Sequence, residues 1–246
     1  MSMHRVVEQF SRACLLCSTA DDLLALTADA ASELGFNRVA LVHGLWFRRP
    51  DRQLVRMDTF GEWADIFIDR RYYLDDPALL ACQRTNAAFT WGEVANFIPF
   101  GSKQITILAE AERHGLRNGI TLPAGVMGEP TGCCSFSCDR SELPSRWRCR
   151  AAALIGADAF REARRIHGLP VPLRHLPALS RRKLECLRLI AEGWSDKQIA
   201  LALGLSPATV CTYVAMLRRD FDVVSRVQLA VEALRFALIG YDDAIP

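Results

Sequence analysis

The residues best suited to read a nucleic acid lie in an amphipathic segment that begins at Ser206-Pro207. Serine is a preferred helix cap and proline fits the first helical position, so this pair predicts the start of a helix. Small side chains let a helix approach base edges, threonine and methionine contact thymine methyl groups, and arginine bonds to guanine or phosphate. The residues that must face a core are Val210, Val214, Leu217 and Phe221. The opposite face is expected to carry Ala208, Thr212, Ala215, Met216 and Arg219, flanked by Thr209 and Arg218.

Two shorter helical segments precede this one, capped by Ser180 and Ser195 and each followed by glycine. Short helices joined by a tight glycine-containing turn are typical of a helix-turn-helix. Ser195, Lys197 and Ser206 lie at helix N-termini, where they are suited to bind phosphate oxygens. Between residues 173 and 238, ten Lys or Arg outnumber six Asp or Glu, a modest bias toward a polyanion. A helical bundle that makes only protein contacts is the alternative.

A second set of polar residues stands in an apolar part of the chain and is suited to a small ligand. Trp63 offers an indole N–H, Asp76 a carboxylate and Ser135 a hydroxyl. A dry pocket needs only a few such groups among apolar walls. Taken singly, Asp76-Pro77 also fits a helix N-cap and Trp91 also fits a core anchor.

The histidines and cysteines do not indicate a catalytic or metal site. The nine cysteines are scattered, and both Cys14 with Cys17 and Cys133 with Cys134 fit packing as reduced thiols. The five histidines show neither metal-binding spacing nor a nucleophile motif: His4, His43, His114, His167 and His175. We therefore expect no enzyme activity, no metal and no cofactor.

The elements that must position these residues follow an α+β pattern, an antiparallel sheet between helices. Two helices are predicted within residues 5–34, and a long helix from 145 to 167 closes the region. Strands and shorter helices alternate in between: strands at 39–47, 54–60, 119–123 and 131–138, and helices at 60–71, after Asp76-Pro77, and at 100–114.

Length and composition predict two soluble domains. The chain has 246 residues, half of them hydrophobic, and a formal net charge of +2. Three prolines between residues 168 and 178 predict a linker between an N-terminal domain at 1–167 and an all-α C-terminal domain at 179–246. No apolar run is long enough for a bilayer and the N-terminus does not read as a signal peptide, so we expect a cytoplasmic location and no membrane contact.

The C-terminal segment resembles the DNA-binding domain of the LuxR family. The matching framework is Leu179, Leu187, Ala191, Gly193, Ile199-Ala200, Leu203 to Ser206, Thr209-Val210 and Ser225-Arg226. The resemblance implies that the third helix enters the major groove, with Tyr213 among the DNA-contacting residues. Many members have an acidic residue at the position of Lys183, histidine at Tyr213 and lysine at Asp220. Asp220 is therefore expected to bring a negative charge close to phosphate, which lowers affinity for DNA unless Arg218 or Arg219 shields it.

The N-terminal part resembles the autoinducer-binding domain of acyl-homoserine-lactone receptors over residues 35–138. The resemblance rests on Trp63, Phe67, Asp76-Pro77, Trp91 and Gly119 at the family's spacing. It implies that Trp63 donates its indole N–H to the lactone carbonyl, Asp76 accepts the ligand amide N–H, and Trp91 stacks on the lactone. The expected walls are Ala40, Val42, Phe67, Tyr72, Leu79, Trp91, Ile107, Leu116 and Cys133.

Phe67 is the main departure from this family, because most members carry tyrosine there and often a second tyrosine at the position of Thr59. Without these phenols, the acyl carbonyl must bond to Ser135, Thr59 or water. An unusual acyl group, a non-lactone ligand and a ligand-independent regulator all fit this departure.

Together the two resemblances imply a quorum-sensing transcription factor that binds an N-acyl-homoserine lactone and, as a homodimer, regulates an inverted-repeat DNA site. RNA polymerase is a further candidate partner. Dimer contacts are expected from the first helix, the 145–167 helix and a C-terminal helix at 227–239. The apolar residues predicted for the C-terminal seam are Leu229, Ala233, Phe236 and Ala237.

Overall fold

A computed structural model describes residues 3–44, 55–125, 131–169 and 179–240. These residues divide into two compact units, of which the first reaches residue 169 and the second begins at residue 179. The last residues of the first predicted strand, the segment that joins it to the second, and most of the predicted linker lie outside the described residues. Each unit is described by itself.

Three helices of the N-terminal unit cover one face of its sheet: α1 (Met3–Ala13), α2 (Ala20–Glu33) and α6 (Arg146–Ile166). A short 3-10 turn, Cys14–Leu16, follows α1. The break predicted between the first two helices is present, and the Thr19 hydroxyl caps α2 by accepting the Asp22 N–H at 3.1 Å. Arg165 donates to the carbonyl oxygen of Cys17 at 2.6 Å, which ties α6 to the end of α1.

The sheet has five antiparallel strands in the order β2-β1-β5-β4-β3. The central pair, β1 with β5, aligns Ala40 with Ser135 and Val42 with Cys133. The antiparallel α+β architecture predicted from the sequence is therefore confirmed. The strands are β1 (Arg38–His43), β2 (Val55–Asp58), β3 (Phe89–Thr90), β4 (Asn118–Pro123) and β5 (Gly132–Cys138).

Alternation along the central strands separates a packed face from a face that lines a cavity. Val39 and Leu41 of β1, with Phe136 of β5, belong to the core beneath α1, α2 and α6. Ala40 and Ser135, their neighbours in sequence, line the cavity on the opposite face. One face of the sheet is thus covered by helices α1, α2 and α6, and the other face lines the cavity.

Short elements surround the second face. They are α3 (Glu62–Asp69), a 3-10 turn at Tyr72–Leu74, α4 (Pro77–Ala81), a 3-10 helix at Trp91–Asn96 and α5 (Ser102–Arg113). Strand β3 and the 3-10 helix that begins at Trp91 were not predicted, because a two-residue strand has no periodicity to detect. Their place in the fold fixes Trp91 beside β4.

Within residues 179–240 the C-terminal unit has four helices, which confirms the all-α prediction: α7 (Arg181–Ala191), α8 (Asp196–Leu203), α9 (Pro207–Asp220) and α10 (Arg226–Arg235). The caps of these helices are Ser180, Ser195, Ser206 and Ser225, and each accepts a backbone N–H from three residues later. Gly204, at φ +65°, ends α8 in the left-handed conformation that glycine adopts without strain. The core joins Leu187, Ile199, Val210, Leu217 and Leu229.

The predicted C-terminal seam is wrong for two of its residues. Leu229 and Ala233 are fully buried in the core of their own unit, so they cannot also contact a second copy. The outward apolar residues of α10 are Val227 and Val231, which are 75% and 55% exposed. The misassignment arose because both faces of this helix carry apolar residues, and periodicity does not say which face is inside.

Within the described residues, no single helix is long and apolar enough to cross a membrane. Only α8 and α9 taken together satisfy length and composition, and they are bent by 111° at the break between them.

Candidate ligand cavity and DNA-binding surface

A cavity of about 500 Å³ lies on the second face of the sheet, against α3, α4 and α5. Its size and largely apolar lining are those of a small-molecule site. Eleven of the thirteen predicted ligand residues line it: Ala40, Val42, Trp63, Phe67, Asp76, Leu79, Trp91, Ile107, Leu116, Cys133 and Ser135.

Tyr72 and Thr59 are the two predicted residues that the structure places outside the cavity lining. Tyr72 packs behind Trp63, with 5.8 Å between ring centroids, and its hydroxyl donates to Glu110 at 2.5 Å. The Thr59 hydroxyl accepts the Val39 N–H at 2.9 Å and so extends the contact between β2 and β1. Both side chains are therefore committed to the fold, which corrects their assignment as ligand contacts.

Asp76 caps helix α4 and also lines the cavity. One carboxylate oxygen, Oδ1, accepts the Leu79 N–H at 2.8 Å and caps α4, as Asp76-Pro77 predicts. The residue also lines the cavity, where a carboxylate can accept a further hydrogen bond. Burial raises the pKa of Asp76 to about 6, while the N–H groups of Leu79 and Ala78 act in the opposite direction.

Trp63 is held on α3 by a cluster of rings. It is 4% exposed, and its ring lies 6.0 Å from Phe67 and 5.5 Å from His114 between centroids. Among the described residues, no side chain or carbonyl accepts its indole N–H. Because Trp63 also lines the cavity, this donor is available to a ligand.

Trp91 rests directly on strand β4. A Cβ at Gly119 would lie 2.7 Å from Trp91 Cε2 and 2.6 Å from the Phe136 carbonyl oxygen, so only glycine gives the ring this place. The Trp91 indole N–H donates to Thr121 Oγ1 at 3.0 Å, and Thr121 Oγ1 lies 2.9 Å from Ser135 Oγ. Thr121 was not predicted, although it follows Gly119 by two positions on the same face of the strand.

Arg56 and Asp58 also line the cavity, from β2, and neither residue was predicted. Arg56 bonds to Asp58 at 2.7 Å and to Asp65 of α3 at 3.0 Å, and these bonds raise the pKa of the guanidinium. The strand register shows why they face inward, since Arg56 pairs with Val42 and Asp58 with Ala40. Only the pairing of β2 with β1 carries that information.

Every predicted DNA-binding residue is at least partly exposed, and those of α9 lie mainly on the side away from the buried Val210, Val214 and Leu217. Thr212, Ala215 and Arg219 of α9 are exposed, while Thr209, Tyr213, Met216 and Arg218 are half-buried. Ser195, Lys197 and Ser206 are exposed at or near the N-termini of α8 and α9. Cys211 is a further exposed residue on this face that the predicted set omitted. Tyr213 packs partly against the core, which leaves only part of its surface for DNA.

Comparison with known proteins covers both units. Residues 19–163 match the model of the autoinducer binding domain, and residues 177–233 match that of the luxR family of bacterial regulatory proteins. The chain belongs to the LuxR family. It is a LuxR-type quorum-sensing transcription regulator with an autoinducer-binding domain and a helix-turn-helix DNA-binding domain.

Individual relatives agree with this assignment. The transcriptional activator RaiR of Rhizobium etli is 30% identical over 67% of this chain and 68% of its own. The quorum-sensing regulator RhlR of Pseudomonas aeruginosa is 25% identical over 88% and 89%. A solved structure of SdiA in complex with octanoyl-rac-glycerol superposes with a TM-score of 0.65 at 19% identity, covering 98% of each chain.

Within this LuxR-type domain, the charge of Asp220 is balanced by a neighbour that was not predicted. Asp220 forms an ion pair with Lys183 of α7 at 2.6 Å, and both side chains are largely buried, at 19% and 15% exposure. Arg219 approaches the same carboxylate at 3.9 Å. The two departures from the family pattern thus compensate each other, since an acidic residue at 183 and a lysine at 220 would make the same pair with its charges exchanged.

We predict that reversing either charge alone lowers the stability of the fold, and that reversing both charges together restores it. Lys183→Glu and Asp220→Lys each place like charges together in a largely buried site, so each should lower the free energy of unfolding by about 1–3 kcal/mol. The double variant should recover most of that loss. Urea unfolding of the four full-length proteins measures the coupling, and independent, additive losses would show that the pair does not act as a unit.

Proposed function

We propose that this regulator binds an N-acyl-homoserine lactone in the cavity and, as a homodimer, controls transcription at an inverted-repeat DNA site. The observation that carries the proposal is that a largely apolar cavity holds a carboxylate without an oppositely charged partner, an indole N–H without an acceptor among the described residues, and a hydroxyl. These groups belong to Asp76, Trp63 and Ser135.

These three groups match the donors and acceptors of such a ligand in kind. The lactone amide offers one N–H donor, which suits the Asp76 carboxylate. The ligand has two carbonyl oxygens, which suit the Trp63 indole N–H and the Ser135 hydroxyl. An acyl tail then lies against apolar walls that include Val42, Phe67 and Leu79. Each buried polar group would have a partner, which a dry site requires.

Binding in this cavity would fill a space inside the N-terminal unit. A ligand that binds the folded chain and not the unfolded one stabilises the fold by mass action. This supports a regulator whose folded, active population depends on its ligand.

A dimer is supported by the apolar residues that α10 exposes. Val227 and Val231 lie one turn apart and face outward, and Val224 precedes them at 83% exposure. Two copies joined by a twofold axis present two recognition helices, and such a dimer reads an inverted repeat. The outward residues of α9, with Arg219 at its C-terminal end, would contact the bases and phosphates. RNA polymerase stays a candidate partner of the DNA-bound dimer.

A non-lactone acyl ligand is the second candidate, because the SdiA structure holds octanoyl-rac-glycerol. Such an ester has no amide N–H, so a glycerol hydroxyl would have to donate to Asp76. Phe67, which brings no phenol to the cavity, fits this ligand as well as a lactone. Mass spectrometry of the small molecules that copurify with the protein separates the two ligands.

We expect Asp76→Asn to abolish most of the stabilisation by a lactone, because a carboxylate accepts a much stronger hydrogen bond than an amide oxygen. The measurement is the melting temperature of the full chain with and without N-octanoyl-homoserine lactone. Asp75→Asn is the matched control, since Asp75 pairs with Lys103 and does not line the cavity. An equal response of both variants would argue against lactone binding at Asp76.

We expect lactone affinity to fall as the pH drops through about 6, where buried Asp76 gains a proton. If only the carboxylate binds the amide N–H, affinity at pH 5 should be about tenfold below that at pH 7.5. The contribution of Asp76 to the stability of the ligand-free fold should depend on pH in the opposite direction. The Asp76 pKa lies above the usual 3.8, so this group favours folding at low pH, and that contribution is lost as the pH rises from about 4 to 6. Titration calorimetry across this range tests the prediction, and Asp76→Asn should remove the dependence.

We expect Val231→Asp to weaken the dimer, because the charge would be buried against the second copy while the outward position leaves the unit folded. Sedimentation should show a shift toward monomer, and affinity for an inverted-repeat duplex selected by the wild type should fall at least tenfold. Leu201→Asp, on the 86% exposed Leu201 of α8, is the control for the oligomeric state. An unchanged dimer in Val231→Asp would place the seam elsewhere.

A further inference from the structure

Three hydrogen-bonded side chains connect the 3-10 helix after β3 with strands β4 and β5. We propose that Thr121 is a positioning residue which accepts from the Trp91 indole and donates to Ser135, and thereby fixes the Ser135 hydroxyl as a donor into the cavity. The ligand must then present an acceptor there, which is the acyl carbonyl oxygen beside the amide. This inference rests on the proposed function insofar as the ligand is an acyl compound.

The hydrogen bonds from Trp91 to Thr121 and from Thr121 to Ser135 form a relay, and the first of them has a fixed direction. An indole nitrogen carries a proton and has no lone pair to offer, so it can only donate. Trp91 Nε1 lies 3.0 Å from Thr121 Oγ1, and the hydroxyl oxygen is therefore the acceptor. The ring cannot easily leave this position, because it fills the space that Gly119 leaves open on β4.

The second bond takes its direction from the burial of Thr121. This residue is 0% exposed, and among the described residues its hydroxyl has only two partners, Trp91 and Ser135. If Ser135 donated to it, the Thr121 proton would be buried without an acceptor, an arrangement that proteins avoid. Thr121 therefore donates to Ser135 Oγ across 2.9 Å.

The last step concerns the proton of Ser135. Ser135 Oγ accepts the hydrogen bond from Thr121, and no residue of the described chain accepts the Ser135 proton. Ser135 lines the cavity, so a ligand oxygen is the acceptor that remains. A hydroxyl that already accepts a hydrogen bond is a stronger donor. The relay thus supplies the donor that the phenyl ring of Phe67 lacks.

The test uses full-length protein and N-octanoyl-homoserine lactone as the probe. Thr121→Val keeps the shape and removes the hydroxyl, Thr121→Ser keeps the hydroxyl, and Ser135→Ala removes the donor. Ser137→Ala is the matched control: Ser137 is fully buried on the same strand, and its hydroxyl has no partner among the described residues. Dissociation constants are measured for each variant and for Thr121→Val combined with Ser135→Ala.

We expect about tenfold weaker binding for Thr121→Val and Ser135→Ala, and near wild-type binding for Thr121→Ser and Ser137→Ala. Because Thr121 acts through Ser135, the double variant should bind no more weakly than Ser135→Ala alone. Wild-type binding by Thr121→Val, or losses in the double variant that multiply, would overturn the relay. A merely structural role would instead weaken binding independently of Ser135.

A ligand-free measurement separates failure of the relay from failure of the proposed function. The Trp91 indole N–H resonance, identified by its loss in Trp91→Phe, should move in Thr121→Val and stay in place in Ser137→Ala. An unmoved resonance overturns the relay even if lactone binds. If the resonance moves but no variant, wild type included, responds to lactone, the proposed ligand is wrong, and so is the acyl carbonyl as the acceptor.

Discussion

The antiparallel pairing of β1 with β5 holds the chemistry of the N-terminal unit in place. Its register sets Ala40 opposite Ser135 and Val42 opposite Cys133, and all four residues line the cavity. Side chains alternate between the two faces of a strand, so a slip of one residue would exchange the core face with the cavity face. Phe136 would then leave the core and Ser135 would enter it. The packed core beneath α6 therefore defines which side chains a ligand can meet.

Burial makes the polar groups of the cavity effective and also costly. A carboxylate removed from water loses solvation, which is why the pKa of Asp76 lies well above its usual range. Two backbone N–H groups of α4 offset part of this cost. Trp63 and Ser135 likewise hold protons without protein acceptors among the described residues. A ligand that pairs with all three groups recovers more free energy than one that only fills the space, so recognition favours the correct donor and acceptor pattern.

Local patterns in the sequence were sufficient for the α-helices and for most of the residues that line the cavity. Ser206-Pro207 predicts the start of α9, and Asp76-Pro77 predicts the start of α4, because capping depends on residues close in sequence. Family spacing then brought together eleven lining residues, most of which periodicity alone would assign to a core. Contacts between distant residues were not predictable in this way. Thr59 and Tyr72 were misassigned because their bonds to Val39 and Glu110 depend on tertiary packing.

The ion pair of Asp220 is another contact between distant residues that was not predictable from the sequence. The charge of Asp220 alone suggested repulsion from DNA, whereas its partner Lys183 lies thirty-seven positions earlier and cancels that charge within the unit. One residue is read correctly only when its neighbour in space is known. Exchanging the two charges would leave their sum unchanged, so the ion pair between Lys183 and Asp220 is considered as a unit.

The balance of charge around the cavity further restricts the ligand. Arg56 is paired with Asp58, and Arg117 is paired with Glu112 at 3.2 Å, so these lining residues cancel in pairs. Among the described lining residues, Asp76 is the one charge without an oppositely charged partner. An anionic ligand would meet this carboxylate as a like charge, whereas a neutral amide offers it a hydrogen bond. A closed lactone is neutral, but hydrolysis of its ring creates a carboxylate. Under the proposed binding mode, Asp76 would therefore also discriminate against the ring-opened acid, because the two carboxylates would repel each other.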